Sequence, residues 1–174
     1  QAISHEHRTA LQATRHQEIG DTYTRLYTHN MDVDSLNFKH LNEIDNDPRQ
    51  FDAQCDGNEK LIETLKSSVR APEALTLKKH AKVMFVKNNF DMGYINGSLG
   101  EVISFEEDDE YGVLPKAQLT DGTTLLVEPE TWSVDNEAGK TIASFQQIPL
   151  RLAWAITIHK SQGMTLAAAE INLS

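Results

Sequence analysis

The chain has 174 residues, 39% hydrophobic and 24% charged, enough for one compact domain or two small ones. It carries 16 Lys and Arg against 26 Asp and Glu, a formal charge of -10, and that balance taken alone disfavours a phosphate-binding partner. Its single cysteine, Cys55, rules out an internal disulfide framework or a thiolate metal cluster, and no run approaches the ~18 apolar residues of a spanning helix.

The acid is unevenly spread. Residues 1–59 hold 5 basic and 11 acidic side chains and residues 101–140 hold 2 and 11, whereas 60–100 hold 7 and 3 and 141–174 hold 2 and 1. Because the Debye length at physiological salt is about 8 Å, a distant acidic loop is largely screened from a local site. Two stretches are therefore open to an anionic ligand.

In chain order, residues 4–18 give a weak helical pattern that includes His5 and His7. These two with His16 could ligate a metal, but two-apart histidines on a polar segment are usually solvated and no carboxylate–histidine set at ligand spacing supports one. The segment 1–21 reads as a helical piece or linker. TYTRLYT, Thr22 to Thr28, reads as a strand. A helix capped by Asn30 follows, with Asp32 and Asp34 in its first turn and a stripe of Val33, Leu36, Leu41 and Ile44. Gln50 to Cys55 is a short strand, and Asn58 to Val69 a second amphipathic helix through Leu61, Ile62 and Leu65, closed by Pro72.

From Leu75 the texture changes to short strands: AKVMFVKNN, GEVISFEE, LPKAQLT, TTLLVEPETW and TIASFQQIPL. They are punctuated by Asn96-Gly97, the acidic run Glu106 to Glu110, and Asp121-Gly122; Asn-Gly and Asp-Gly are the pairs that tight hairpin turns favour because both central positions need positive φ. Five such strands predict a small antiparallel barrel over 75–148. RLAWAITI then reads as a strand buried on both faces, HKSQGMT as a polar turn, and AAAEINL as a last strand. The whole predicts an α/β layer, 22–74 and 149–174, interrupted by a β module.

The chemistry concentrates after RLAWAITI. Thr157, His159 and Ser161 can donate to phosphate oxygens, Lys160 adds charge, and Gly163 lets a backbone approach a ligand. In open α/β sheets ligands bind beyond the carboxyl ends of strands, where this cluster falls. A plain polar turn between two strands would have the same composition.

LRLAWAITIHKSQGMTL closely resembles motif V of superfamily-1 DNA helicases, in the 5′-to-3′ group of the PIF and RecD type. TRLYTHNMDVDSLNFKHL resembles motif IV and its helix, which in that family contains an asparagine, here Asn37. LKKHAKVMFVKNNFDMGYINGSLGEV resembles the start of the family's inserted barrel, of Src-homology-3 type, with His80 where glycine is usual, so that a different turn is expected there. The resemblance covers about 22–174. It implies the second RecA-like domain of a P-loop-type motor, interrupted by its barrel, in the C-terminal part of an ATP-dependent DNA helicase acting in DNA repair, recombination or replication.

Carried over by position, Thr157, His159, Lys160 and Ser161 would face single-stranded or forked DNA. Gln162, Gly163 and Thr165, with Thr28, His29 and Asn30, would line the nucleotide cleft. The loop Asn88 to Gly97 would contact DNA near the fork, with Phe90 and Tyr94 as stacking platforms and Lys87 as a cation; Lys78, Lys79 and Lys82 are either further local charge or a solvated strand face. The implied cofactors are ATP and Mg2+ in the whole enzyme, with neither held tightly by this segment. The implied partners are DNA and the first RecA-like domain of the same chain. No membrane is implied, and the setting is intracellular, cytoplasmic if bacterial.

The chain lacks the phosphate-cradling GxxxxGK[ST] loop. Gly139-Lys140-Thr141 imitates its end, but Val134 stands where the first glycine belongs, so this is expected to be a hairpin turn. The family's arginine-bearing motif VI would follow residue 174, and the chain, opening at Gln1, reads as a segment of a longer protein. The acidic run lacks a calcium-loop pattern and reads as an exposed hairpin tip, Cys55 as structural and Trp154 as core. The competing reading is a stand-alone nucleic-acid or protein-binding module without motor activity.

Overall fold

A computed structural model of the chain describes residues 24–27, 30–157 and 169–171. The N-terminal helical pattern with His5, His7 and His16, and the segment Ile158 to Ala168, lie outside the described residues.

Strand β1 (Thr24–Tyr27) is the centre of a parallel sheet, with β12 (Ala155–Thr157) on one side and β13 (Ala169–Ile171) on the other. Helix α1 (Asn30–Glu43) follows β1 and packs on β12. Between α1 and β12 the chain builds a β module, and residues 49–57, expected in the α/β layer, pair with its strands. Among the described residues its strands do not close into a barrel. They form an antiparallel five-stranded sheet in the order β11 (Leu150–Leu152), β5 (Lys82–Phe85), β6 (Leu99–Asp108), β7 (Gly112–Leu119), β8 (Thr124–Leu126). A second sheet has the order β3 (Gln54–Gly57), β10 (Thr141–Gln147), β9 (Glu130–Asp135). A third pairs β2 (Arg49–Asp52) with β4 (Ala74–Leu77).

Strand β5 shows why the module holds together. Successive side chains on a strand point to opposite faces. Val83 and Phe85 enter one core with Leu77, Val102, Leu114 and Leu150, whereas Met84 enters another with Leu65, Phe145 and Ile156. All three β5 residues are fully buried, so its near-continuous apolar run reflects burial on both faces. Gln147, 2% exposed, joins the sheets: its Nε2 donates to the carbonyls of Phe51, Pro72 and Glu73 at 2.9–3.0 Å, and its Oε1 accepts from Ile148 N–H at 2.8 Å.

Three expected strands prove to be two each. Gln50 to Cys55 divides at Ala53 into β2 and β3, TTLLVEPETW divides around Pro129 into β8 and β9, and RLAWAITI divides at Ala153-Trp154 into β11 and β12. In each case the halves join different sheets. The last division means that Leu150 to Leu152, expected in the returning α/β layer, pair with β5 instead.

Helix α2 (Glu59–Ser68) forms as expected. Asn58 is its N-cap, with Oδ1 accepting from Lys60 N–H at 3.1 Å and Leu61 N–H at 3.3 Å. The turns also follow the sequence. Gly139-Lys140-Thr141 closes the β9–β10 hairpin, where Asn136 Oδ1 accepts from Lys140 N–H at 2.9 Å and Gly139 takes φ +75°. The acidic run caps the β6–β7 hairpin, its Asp108 accepting from Glu110 and Tyr111 N–H at 2.9 Å, although Glu106 to Asp108 belong to β6 itself. Cys55 departs from expectation: it is exposed on β3.

His80 keeps a turn that suits glycine. Its φ is +72°, in the left-handed region, and its N–H donates to Val102 O at 2.7 Å. An L side chain there costs about 1–2 kcal/mol, offset in part by the greater unfolded-state entropy of glycine. His80→Gly is expected to raise stability by up to about 1 kcal/mol, or 2–4 °C in melting temperature. A fall in melting temperature would mean that the exposed His80–Glu101 contact, 2.8 Å, outweighs the conformational strain.

Candidate nucleic-acid interface

Strands β1 and β12 run parallel with Tyr27 opposite Thr157, so both end on the same edge of the sheet. Thr28, His29 and Asn30 leave from the first end, and Ile158 to Thr165 from the second. The topology thus brings Tyr27 and Thr157, the strand ends that precede the two polar segments singled out in the sequence, to one carboxyl edge, where open α/β sheets bind ligands. Asn30 is the first residue of α1 and Thr157 the last of β12. Thr28, His29, His159, Lys160, Ser161, Gln162, Gly163 and Thr165 lie outside the described residues.

One face of α1 holds the segment leading into that edge. Asp34, Asn37 and His40 recur at helical spacing of three, and each reaches residues 151–155. Asn37 Oδ1 accepts from Ala155 N–H at 2.9 Å, and its Nδ2 donates to Ala155 O at 3.0 Å and Leu152 O at 3.4 Å. It is 3% exposed, a buried polar group satisfied on both sides. His40 stacks on half-buried Trp154 with centroids 5.7 Å apart, and Trp154 packs against the larger core as expected. Asp34 Oδ1 lies 3.7 Å from Arg151 Nη2. Burial lowers the Arg151 pKa from its ordinary value, the Asp34 charge opposing and Arg70 adding to that shift.

The second element is the turn between β5 and β6. Its ends are tied by a two-way backbone bridge between Asn89 and Tyr94, 2.9 and 3.0 Å. Side chains replace missing backbone partners inside it. Asn89 Oδ1 accepts from Met92 N–H at 3.1 Å, Asn88 Oδ1 from Asn96 N–H at 2.7 Å, and Ser98 Oγ from Ile95 N–H at 3.0 Å. Phe90 is 78% and Ile95 52% exposed, two large apolar side chains in water on an ordered turn.

Glu130, at the start of β9, supports this turn from below. Its Oε1 accepts from Asn89 Nδ2 at 2.7 Å and Tyr94 Oη at 2.9 Å, and its Oε2 from Lys87 Nζ at 3.0 Å. Burial pushes the Glu130 carboxyl up, but these hydrogen bonds and the Lys87 charge outweigh it and hold its pKa below the ordinary value. Burial, with the hydrogen bond that the phenol donates to Glu130, pushes the Tyr94 pKa well above its usual range.

Two expectations change here. Tyr94 is not a stacking platform: it is 3% exposed, and its ring packs 4.2 Å from Phe85. Lys87 spends its ammonium inside the chain, on Glu130, on Thr131 O at 2.6 Å, and over the Trp132 ring at 5.0 Å. Lys78 likewise donates to Ile44 O at 2.8 Å, Lys82 is half-buried, and Lys79 is exposed. Glu130 and Ile95 had no signal in the sequence, since Glu130 looks like one more member of an acidic stretch and its partners lie 36–43 residues away.

Among the described residues no group of three His, Cys, Asp or Glu could hold a metal ion, and no helix is long and apolar enough to cross a membrane.

No family model matches the chain. Individual proteins do. The chain is 40% identical over 95% of its length to the ATP-dependent DNA helicase Pif1 of Psychrobacter, and 40% identical over 94% to human ATP-dependent DNA helicase PIF1. It superposes on Bacteroides Pif1 in complex with ADP-AlF4 with a TM-score of 0.82 at 29% identity, over 99% of its length. This chain is a homologue of the Pif1 helicases. Its α/β fold is similar to their RecA-like domains. Candida albicans Pif1 gives a TM-score of 0.72 at 32% identity over 97% of this chain. The chain spans only 32% of the Psychrobacter relative, 25% of the human one and 40% of the Bacteroides structure.

Proposed function

We propose that in the whole protein this chain forms the second RecA-like lobe, with an opened Src-homology-3-like module inserted in it, of an ATP-dependent 5′-to-3′ DNA helicase. The observation that carries the reading is the pairing of β1 with β12, which brings the start of each polar segment to one sheet edge. In support, Bacteroides Pif1 relatives have been crystallised bound to single-stranded DNA and with ADP-AlF3 and single-stranded DNA together. A further solved relative concerns unwinding at forked duplex DNA.

In this reading Thr157, His159, Lys160 and Ser161 grip the single strand through hydrogen bonds and one positive charge. Gln162, Gly163 and Thr165, with Thr28, His29 and Asn30, face the cleft toward the first RecA-like lobe, where ATP and Mg2+ would bind. ATP supplies the free energy of hydrolysis when bound there; the residues of this chain orient and hold. The two sets are contiguous in sequence after β12, so a movement at the cleft would be carried to the DNA grip over a few residues. This segment alone, without a phosphate loop, is inactive toward ATP. Phe90 meets DNA at the module's tip.

The test is binding of the full-length protein to labelled oligo-dT by fluorescence anisotropy. Lys160→Ala and His159→Ala are each expected to weaken binding about tenfold, one good charged contact being worth about 1.5–3 kcal/mol. Glu107→Gln, on the exposed hairpin, is expected to change it little. Unchanged binding in both first variants would remove the assignment.

A further inference from the structure

The turn Lys87 to Gly97 offers an anionic polymer little to hold. Its only groups charged at neutral pH are Lys87 and Asp91. The Lys87 ammonium is already bonded to the Glu130 carboxylate at 3.0 Å and to Thr131 O at 2.6 Å, with the Trp132 ring 5.0 Å below. Counted with its Glu130 support, the turn carries one positive and two negative charges, so a phosphate would be repelled. What it presents instead is apolar: Phe90, 78% exposed, and Ile95, 52% exposed. An exposed aromatic on an ordered turn suits the face of an unstacked base, which attracts by stacking and dispersion whatever its sequence.

Order is the second half of the observation. A flexible tip would lose much of its contact energy to immobilisation on binding. Here two hydrogen bonds to Glu130 fix Asn89 and Tyr94, the two residues that close the base of the 90–93 bend, a third ties Lys87, and Phe85 backs the Tyr94 ring at 4.2 Å. One carboxylate therefore neutralises the lysine and rigidifies the tip together.

We infer that Glu130 is a positioning residue that makes the Lys87–Gly97 turn a contact for nucleic-acid bases rather than for phosphates. This rests on the reading of the chain as part of a DNA helicase, and deepens it by naming what the tip recognises. Glu130 itself touches no DNA; it acts through Asn89, Tyr94 and Lys87 on the presentation of Phe90.

The experiment uses the full-length protein and a fluorescein-labelled duplex carrying an oligo-dT tail, with affinity measured by anisotropy across a range of salt concentrations. Phe90→Ala should weaken binding about tenfold at every salt concentration, base stacking being worth about 1–3 kcal/mol, and leave the slope of log K against log salt unchanged. Lys87→Gln should leave that slope unchanged too. Glu130→Ala should weaken binding about as much as Phe90→Ala, and the double variant no further, because one acts through the other. Should Glu130→Ala fail to fold, Tyr94→Phe removes one of the three hydrogen bonds while keeping the buried ring, and should weaken binding about twofold to threefold with the slope unchanged. A slope reduced by about one on Lys87→Gln would show a phosphate contact and overturn the inference. So would additive effects of Glu130→Ala and Phe90→Ala. Wild-type affinity in Phe90→Ala would instead remove the DNA contact at the tip, a different failure.

Discussion

Replacing Asn37 with leucine, of similar size, is expected to lower the unfolding free energy of the chain by about 3 kcal/mol. The substitution removes every hydrogen bond of a side chain that is 3% exposed and leaves Ala155 N–H and C=O buried without partners. An orphaned buried polar group costs about 1–3 kcal/mol, and two are created. The same loss frees β12 from α1, so the strand end at Thr157 is no longer set by the helix that follows β1. In the full-length protein Asn37→Leu should therefore weaken single-strand binding at temperatures where it is still folded, whereas His40→Ala, removing a half-exposed stack and a contact with the exposed Glu43, should cost less than about 1 kcal/mol and leave binding near wild type. Chemical denaturation followed by oligo-dT binding separates the two effects. Equal stability of Asn37→Leu and wild type would mean that the α1–β12 clamp contributes nothing.

Gly57→Ala should be at least as damaging. Gly57 pairs with Ala143 across β3 and β10 and has φ +105°, a conformation that costs an L-residue about 1–2 kcal/mol. A Cβ there would stand 2.3 Å from Ile142 O, the same carbonyl that accepts from Asn58 N–H at 2.9 Å at the start of α2. Backbone, not a flexible side chain, would have to move, and the helix cap would move with it. A loss on the order of 3–5 kcal/mol, lowering the melting temperature by roughly 10 °C, is expected. By contrast Gly139→Ala meets nothing within 4 Å and has only its φ of +75° to overcome, so it should cost about 1 kcal/mol.

These two positions show what was legible in the sequence. The helix from Asn58, the hairpin at Gly139-Lys140-Thr141 and the strand ending at Tyr27 were all readable because local chemistry decides them: a capping amide, residues tolerant of positive φ, a β-branched and aromatic run. The places where strands change sheets were not. RLAWAITI is apolar throughout, and its break at Ala153-Trp154 depends on Leu150 to Leu152 finding β5 while Ala155 to Thr157 find β1. Periodicity reports burial; it does not report the partner. The open arrangement of the β module follows from the same limit, since strand count and turn spacing fit an open sheet as well as a closed barrel.

The site divides similarly. HKSQG lies outside the described residues, and what the structure adds is the parallel pairing of β1 with β12, the strands that precede the two polar segments. Asn37 carried a partial signal, as the asparagine that the resemblance to motif IV places in this helix. Glu130 carried none, because its meaning comes from Lys87, Asn89 and Tyr94, brought to it by the crossing of two sheets. Tyr94 was misjudged for a related reason: a tyrosine beside Asn-Gly suggests an exposed loop, and Phe85 instead supplies a buried face for its ring.

The grip on DNA by the segment after β12 is tested most directly by the salt dependence of oligo-dT binding in full-length wild type and Lys160→Ala. If Lys160 neutralises one phosphate of a single strand, the slope of log K against log salt becomes shallower by about 0.7 in the variant, with weaker binding at low salt. An identical slope and affinity in the two proteins would contradict it.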